Sequence, residues 1–137
     1  MKNYIHRVNY YETDKMGITH HSNYIRWMEE ARIDYLEQIG IGYDTLEKQG
    51  VLSSVIGLEC EYKKPTTFND CVEIEIKMEE FTGVKLTISY TMKNQRTSEI
   101  VAKGKTSHCF VGGEGKLIVL KKSFPDLDKK LKELIAD

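Results

Sequence analysis

Two stretches of strict period-two alternation constrain the fold more than any other feature of the chain. In 72–78, Val72, Ile74, Ile76 and Met78 alternate with Glu73, Glu75 and Lys77. In 84–92, Val84, Leu86, Ile88, Tyr90 and Met92 alternate with Lys85, Thr87, Ser89 and Thr91. Successive strand side chains point to opposite faces, so each stretch is a strand with one dry and one wet face. That pattern belongs to antiparallel sheets. Residues 54–64, 99–111 and 116–120 read as further strands of the same sheet. The breaks at 69–70, 82–83, 94–98 and 112–115 are short enough for hairpins. Pro65 cannot donate to a ladder and marks an edge, a bulge or the end of its strand.

Upstream the period changes. Residues 3–11 read as one more strand, with Tyr4, His6, Val8 and Tyr10 on one face. The segment 12–21 (ETDKMGITHH) breaks it. From 22 to 39, Tyr24, Trp27, Met28, Ala31, Tyr35 and Ile39 keep a stripe at spacings of three and four. That is a helix of ~27 Å. Ser22 or Asn23 caps its start, and Gly40 stops it. A short second helix spans 44–49, between Asp44 and Gly50. Ser123, Pro125 and Asp126 open a C-terminal helix over about 124–136, with Leu127, Leu131, Leu134 and Ile135 as its apolar stripe. The strands run together instead of alternating with helices. The class is therefore α+β, with the long helix lying across a curved antiparallel sheet. No repeat, linker or shift of composition divides residues 1–137, which read as a single domain.

Charge and cysteine usage narrow the function. Twenty basic residues face 21 acidic ones, a net charge of −1. This argues against a general nucleic-acid binder. With 40% hydrophobic and 30% charged residues, the chain has enough apolar surface for a core. Cys60, Cys71 and Cys109 form no CxxC and imply neither a disulfide framework nor a zinc knuckle. They read as packing residues in a reducing compartment. The first twenty residues include Lys2, Arg7, Glu12, Asp14 and Lys15, with no apolar core of a signal peptide. The longest aliphatic run, 117–120, is far short of the ~20 residues that span a bilayer. A cytoplasmic chain without membrane insertion is expected.

The segment 10–32 (YYETDKMGITHHSNYIRWMEEAR) holds the densest chemistry. A carboxylate, Asp14, lies in a glycine-containing loop just before the long helix. The first N–H groups of a helix have no intrahelical acceptor and carry the positive end of its dipole. They hold a carboxylate, a phosphate or a developing oxyanion. A neighbouring carboxylate serves as general base or nucleophile. Acyl transfer follows as a candidate chemistry, and a plain turn-forming role for Asp14 is the alternative.

The same segment resembles a known family. Asp14, Gly17, His21, Tyr24, Glu29, Ala31 and Arg32 match D-x-x-G, then H-x-x-Y, then E-x-A-R of the 4-hydroxybenzoyl-CoA thioesterase family of hotdog-fold proteins. The match is closest to the small bacterial acyl-CoA thioesterases associated with the Tol–Pal system. Glu61, Tyr62, Pro65 and Asp70 also fit, and the segment order agrees over roughly 3–120.

The resemblance implies a hotdog fold, a curved antiparallel sheet wrapped around one long central helix. It implies hydrolysis of acyl-CoA to a free acid and coenzyme A without a cofactor. Asp14 takes the place of the aspartate that attacks the thioester carbonyl or activates water. The backbone N–H of His21 takes that of the donor polarising the carbonyl. Gly17 lets the loop pass close to substrate, Tyr24 lies on the substrate side, and the His21 side chain positions. The family builds its site at a dimer interface, so a dimer or a dimer of dimers is implied. Ser53 and Ser54 are the strand residues expected to line the partner's site.

Three residues depart from the pattern. His20 replaces the aromatic residue that many relatives carry, and Lys15 and Met16 replace small residues. None of these removes a catalytic group. A non-catalytic acyl-CoA or acyl-carrier binding module remains an alternative. So does a hotdog enoyl-CoA hydratase using Asp14 and His21 as acid and base. An acyl carrier protein is a partner that rests on the resemblance alone.

Other residues read more plainly. Glu12 is a solvated strand end. Glu29 and Arg32 read as an i, i+3 helix-face pair; the resemblance leaves Glu29 as the alternative, since related hotdog enzymes carry a catalytic carboxylate on this helix. His20–His21 lacks a third ligand, so no metal site is expected. His6 and His108 are ordinary sheet residues, His108 partly buried. Gly112, Gly113 and Gly115 form a turn without the context of a phosphate loop. The lysines Lys63, Lys64, Lys85, Lys103 and Lys105 lie on wet strand faces, and the resemblance implies that one group of them is a candidate for the coenzyme A phosphates.

Overall fold

In the computed structural model, which describes residues 1–136, five strands build one antiparallel sheet. They are β1 (Tyr4–Arg7), β2 (Leu52–Tyr62), β3 (Cys71–Phe81), β4 (Lys85–Asn94) and β5 (Ile100–Val111). Their order across the sheet is β1-β3-β4-β5-β2. The alternation in β3 and β4 does what the sequence predicts. Val72, Ile74 and Met78 face inward from β3, and Leu86, Ile88, Tyr90 and Met92 from β4. Register pairs Ile76 with Tyr90 and Ile88 with Thr106, so these inward faces continue across to β5.

Four helices accompany the sheet: α1 (Ser22–Gln38), α2 (Tyr43–Lys48), α3 (Leu120–Ser123) and α4 (Pro125–Ala136). The stripe of α1 is core, with Trp27 and Met28 both at 0% exposure and Ala31 at 1%. Burying a side chain the size of Met28 stabilises by roughly 1.5–3 kcal/mol. The close approach of α1 to β5 depends on Gly104. A Cβ there would lie 2.6 Å from Met28 Sδ and 3.4 Å from the Glu59 carbonyl oxygen. Of the α4 stripe, Leu131 is buried and Leu127, Leu134 and Ile135 are partly so, packed on the same core.

Two expected strands are corrected. The strand over 3–11 ends at Arg7, and Tyr10–Glu12 form a 3-10 turn. The turn wins because the Asn9 N–H donates to Glu12 Oε1 at 2.8 Å and the Glu12 N–H to the Asn9 carbonyl at 3.0 Å. Tyr10 and Tyr11 stay exposed. The strand over 116–120 reduces to a single bridge between Val111 and Leu117. Leu120 instead opens α3, fully buried, with its N–H donating to the Gly83 carbonyl.

β2 is an edge with no neighbour on its outer side. Its exposure does not alternate. Leu52, Val55, Ile56 and Leu58 are all exposed, and the register shifts between Val55 and Gly57.

Candidate active site

The loop between the 3-10 turn and α1 is a small hairpin. Thr13 bridges Thr19, and the Asp14 N–H donates to the Ile18 carbonyl at 2.8 Å. At its tip, Asp14 Oδ1 accepts the Met16 N–H at 2.8 Å, and the Asp14 carbonyl accepts the Gly17 N–H at 3.0 Å. Gly17 has φ +79°, a left-handed conformation that a glycine adopts without strain. The hairpin rests on the segment before β3 through Ile18–Thr67 and through the Thr19 N–H on the Thr66 carbonyl. Asp14 is therefore exposed at the tip of a braced turn.

The start of α1 faces the same loop. His21 has helical φ and ψ, and its carbonyl accepts the Tyr62 hydroxyl at 3.1 Å. His20 Nδ1 lies 2.8 Å from Ser22 Oγ and accepts the Ser22 N–H at 3.3 Å. Among the described residues, the His21 N–H has no acceptor. Two grooves flank this terminus. One, of about 670 Å³, is lined by Asp14 with Thr13, Lys15, His20 and Arg26. The other, of about 370 Å³, is lined by His21 with Tyr24, Tyr62, Lys63 and Lys64.

Asp14, Gly17, His21 and Tyr24 thus cluster at one end of the fold. Asp14 and His21 nevertheless line different grooves. Tyr24 is almost fully buried, and its hydroxyl lies 2.9 Å from Thr66 Oγ1. Burial raises its pKa. Tyr62, which touches His21, is pushed up to about 12, first by burial and then by its bond to Cys60. The Cys60 thiol is raised by burial as well, which keeps it from being a ready thiolate. Ser53 and Ser54 are not brought to the loop within one chain. They lie on β2 opposite Phe110 and Cys109, and Ser53 Oγ is 3.3 Å from His108 Nδ1.

Glu12 overturns its sequence reading. It is buried, at 5% exposure, and collects donors from three elements. Its Oε1 lies 2.8 Å from His6 Nε2 and accepts the Asn9 N–H at 2.8 Å; its Oε2 accepts Trp27 Nε1–H at 2.8 Å. Burial alone would raise its pKa. The Asn9 N–H, then His6 and Trp27, outweigh burial and hold it below the usual carboxylate range. His6 is likewise no ordinary sheet residue. Its Nδ1 is 3.0 Å from Glu30 Oε2, which also accepts the Tyr4 hydroxyl at 2.9 Å, and its ring stacks on Trp27. The Asn9-x-x-Glu12 spacing was the local signal for this hub.

Arg32 also departs from expectation. It turns inward instead of pairing with Glu29, donating Nε–H to the Tyr43 hydroxyl at 2.8 Å and an Nη1–H to the Tyr90 hydroxyl at 3.1 Å. Position 32 follows Met28 by one helical turn and so falls on the buried side. Tyr90 continues to Thr106 Oγ1 at 2.6 Å, and Thr106 to His108 Nε2 at 2.7 Å. His108 is fully buried.

The sequence profile of the thioesterase-like superfamily matches residues 8–133. YneP of Bacillus subtilis, provisionally named an acyl-CoA thioesterase, is 38% identical over 120 residues, covering 87% of this chain and 86% of that protein. The acyl-CoA thioesterase YbgC of Haemophilus influenzae is 28% identical over 98 residues, 71% of each chain. A solved structure described as the DHNA-CoA thioesterase of Staphylococcus aureus superposes with a TM-score of 0.93 at 31% identity. It covers 98% of this chain and 91% of that one.

Proposed function

The chain belongs to the thioesterase-like superfamily, and from that membership we propose that it is an acyl-CoA thioesterase with Asp14 and the His21 N–H as its reacting groups. Within the superfamily, its motifs resemble the 4-hydroxybenzoyl-CoA and Tol–Pal-associated branch, with α1 as the central helix of the hotdog. The observation that carries the assignment of groups is the unpartnered His21 N–H at the start of a 17-residue helix, beside the Asp14 hairpin.

The thioester carbonyl oxygen accepts the His21 N–H. Charge growing on that oxygen meets both the donor and the helix dipole, a kind of contact worth ~2.7–4 kcal/mol in other enzymes. Asp14 then attacks the carbonyl carbon, expelling the coenzyme A thiolate and leaving an anhydride that water hydrolyses. On the other route, Asp14 takes a proton from the attacking water. Neither route needs a cofactor. Gly17 and Tyr24 shape the approach of the substrate.

A second copy completes the site. The unpaired β2 edge exposes Leu52, Val55, Ile56 and Leu58, an apolar strip that association covers. Ser53 and Ser54 on that strand then reach the other copy's loop, in a dimer or a dimer of dimers. Acyl-CoA is the substrate, and an acyl carrier protein is an alternative carrier of the same thioester. Three free cysteines fit a cytoplasmic setting. Among the described residues, no helix is long and apolar enough to cross a membrane.

The test is thiol release from a panel of acyl-CoAs, aliphatic and aromatic, by wild type and Asp14→Asn. A fall of about a hundredfold or more in the folded variant supports the reading. Equal turnover removes Asp14 from the chemistry and turns attention to Glu29. No turnover in either protein refutes hydrolysis of these substrates.

A further inference from the structure

Asp14 and His21 have to be held in register for any shared chemistry, yet they lie at the tip and the far end of one exposed hairpin. We propose that Glu12 is the positioning residue of this hairpin, a buried carboxylate that fixes both of its ends to β1 and α1. The proposal rests on the thioesterase reading for its effect on rate.

The two ends of the hairpin meet at Glu12. Its main-chain carbonyl accepts the His20 N–H at 2.8 Å and Asn23 Nδ2–H at 2.9 Å. The same Asn23 amide donates to the His20 carbonyl at 3.1 Å. Asp14 follows two residues after this junction, and His21 follows His20 directly. The Glu12 side chain anchors the junction to the core. It holds β1 through His6, the 3-10 turn through Asn9, and α1 through Trp27. Trp27 has no exposure at all.

Each oxygen of the Glu12 carboxylate has a partner, Oε1 the Asn9 N–H and the His6 ring and Oε2 the Trp27 indole N–H. Glu12 from the turn and Glu30 from α1 face the two nitrogens of His6, and Tyr4 of β1 donates to Glu30. A carboxylate only accepts. The neutral amide of E12Q breaks this pattern. Its single carbonyl oxygen cannot serve both the Asn9 and His6 side and the Trp27 side, and its NH2 group opposes a donor on one of them.

The consequence is on rate rather than affinity. A small displacement of reacting groups costs up to about 100-fold in rate. Misplacing groups that act only in the transition state lowers kcat and leaves KM largely unchanged. The test compares kcat and KM for acyl-CoA hydrolysis in wild type, Glu12→Gln, Asn23→Ala and the double variant Glu12→Gln/Trp27→Phe. Backbone amide hydrogen exchange at His20 is measured in the same proteins.

In E12Q, kcat is expected to fall about 10- to 100-fold with KM within about twofold, and His20 exchange to speed up. W27F removes the opposing indole N–H, so the double variant recovers part of the lost kcat. A merely structural Glu12 gives the opposite, since a second core substitution then adds damage. Should E12Q not fold, N23A carries the kcat-against-KM test, because Asn23 lies outside the charged cluster. Unchanged His20 exchange in a folded E12Q overturns the clamp. Faster exchange with kcat within about threefold overturns its role in the reaction. A wild type that hydrolyses no acyl-CoA refutes the thioesterase reading, while the exchange data still decide the clamp.

Discussion

Mild acid weakens this fold through His108. The side chain is fully buried between Thr106 and Ser53. Burial, and then the nearby Arg32 charge, push its pKa from 6.5 down to about 4. The unfolded chain takes up this proton near the ordinary value, and the folded chain only near the lowered one. Between them the unfolded state binds more protons, so stability falls as pH falls. The full window is ~3 kcal/mol at about 1.4 kcal/mol per pH unit. Going from pH 7 to about pH 4.5 covers ~2 kcal/mol of it. Glu12 acts lower: its contribution is present above the usual carboxylate range and fades as pH falls through its depressed folded value. The assay is urea unfolding of wild type and His108→Gln at both pH values, at fixed protein concentration because association shifts apparent stability. The variant is less stable at pH 7, having lost its bonds. The gap to wild type then narrows by ~2 kcal/mol in acid, since carboxylates common to both cancel. A gap equal at the two pH values refutes the argument.

Other perturbations probe separate parts of the fold. Gly104→Ala forces a Cβ onto Met28 and destabilises by ~1–3 kcal/mol in thermal melting, as overpacked cores do. Tyr90→Phe removes an acceptor from the buried Arg32 and a partner from Thr106, costing ~1–3 kcal/mol by urea titration. Under the proposed association through the β2 edge, Leu58→Lys puts a charge on that edge and shifts the sedimentation profile toward monomer, without loss of secondary structure by circular dichroism; an unchanged profile refutes the association through this edge.

What the sequence revealed followed periodicity. β3 and β4 were legible because every second side chain enters the same core, and α1 because its stripe is unbroken from Tyr24 to Ala31. Glu12 was not legible as a hub, because its partners His6 and Trp27 come from two other elements and leave no trace in local spacing. Only Asn9, three residues before it, marked the turn. Arg32 was misread because its charge suggested the surface, while its place one helical turn after Met28 put it inside. The 116–120 stretch looked like a strand from its β-branched residues, but the Gly112–Gly115 turn allows one bridge before Leu120 drops into the core. Ser53 and Ser54 illustrate another limit: the role proposed for them depends on a second chain, which no pattern within one chain encodes.

The two readings of Asp14, turn former and reacting group, are compatible and can be separated. The turn uses one carboxylate oxygen, since Oδ1 accepts the Met16 N–H at 2.8 Å. Oδ2 has no hydrogen-bond partner among the described residues. An asparagine forms the same side-chain turn through its carbonyl oxygen, so Asp14→Asn keeps the hairpin and removes only the charge. Asp14→Ala removes both, at ~0.5–1.5 kcal/mol for the lost bond. If Asp14 carries the chemistry, the two variants lose turnover alike, about a hundredfold or more, and only the alanine variant loses stability. If Asp14 only shapes the turn, the asparagine variant keeps wild-type turnover and the alanine variant alone declines. Thiol-release rates and melting temperatures on the same two proteins decide between these patterns, because charge and turn geometry change together in one variant and separately in the other.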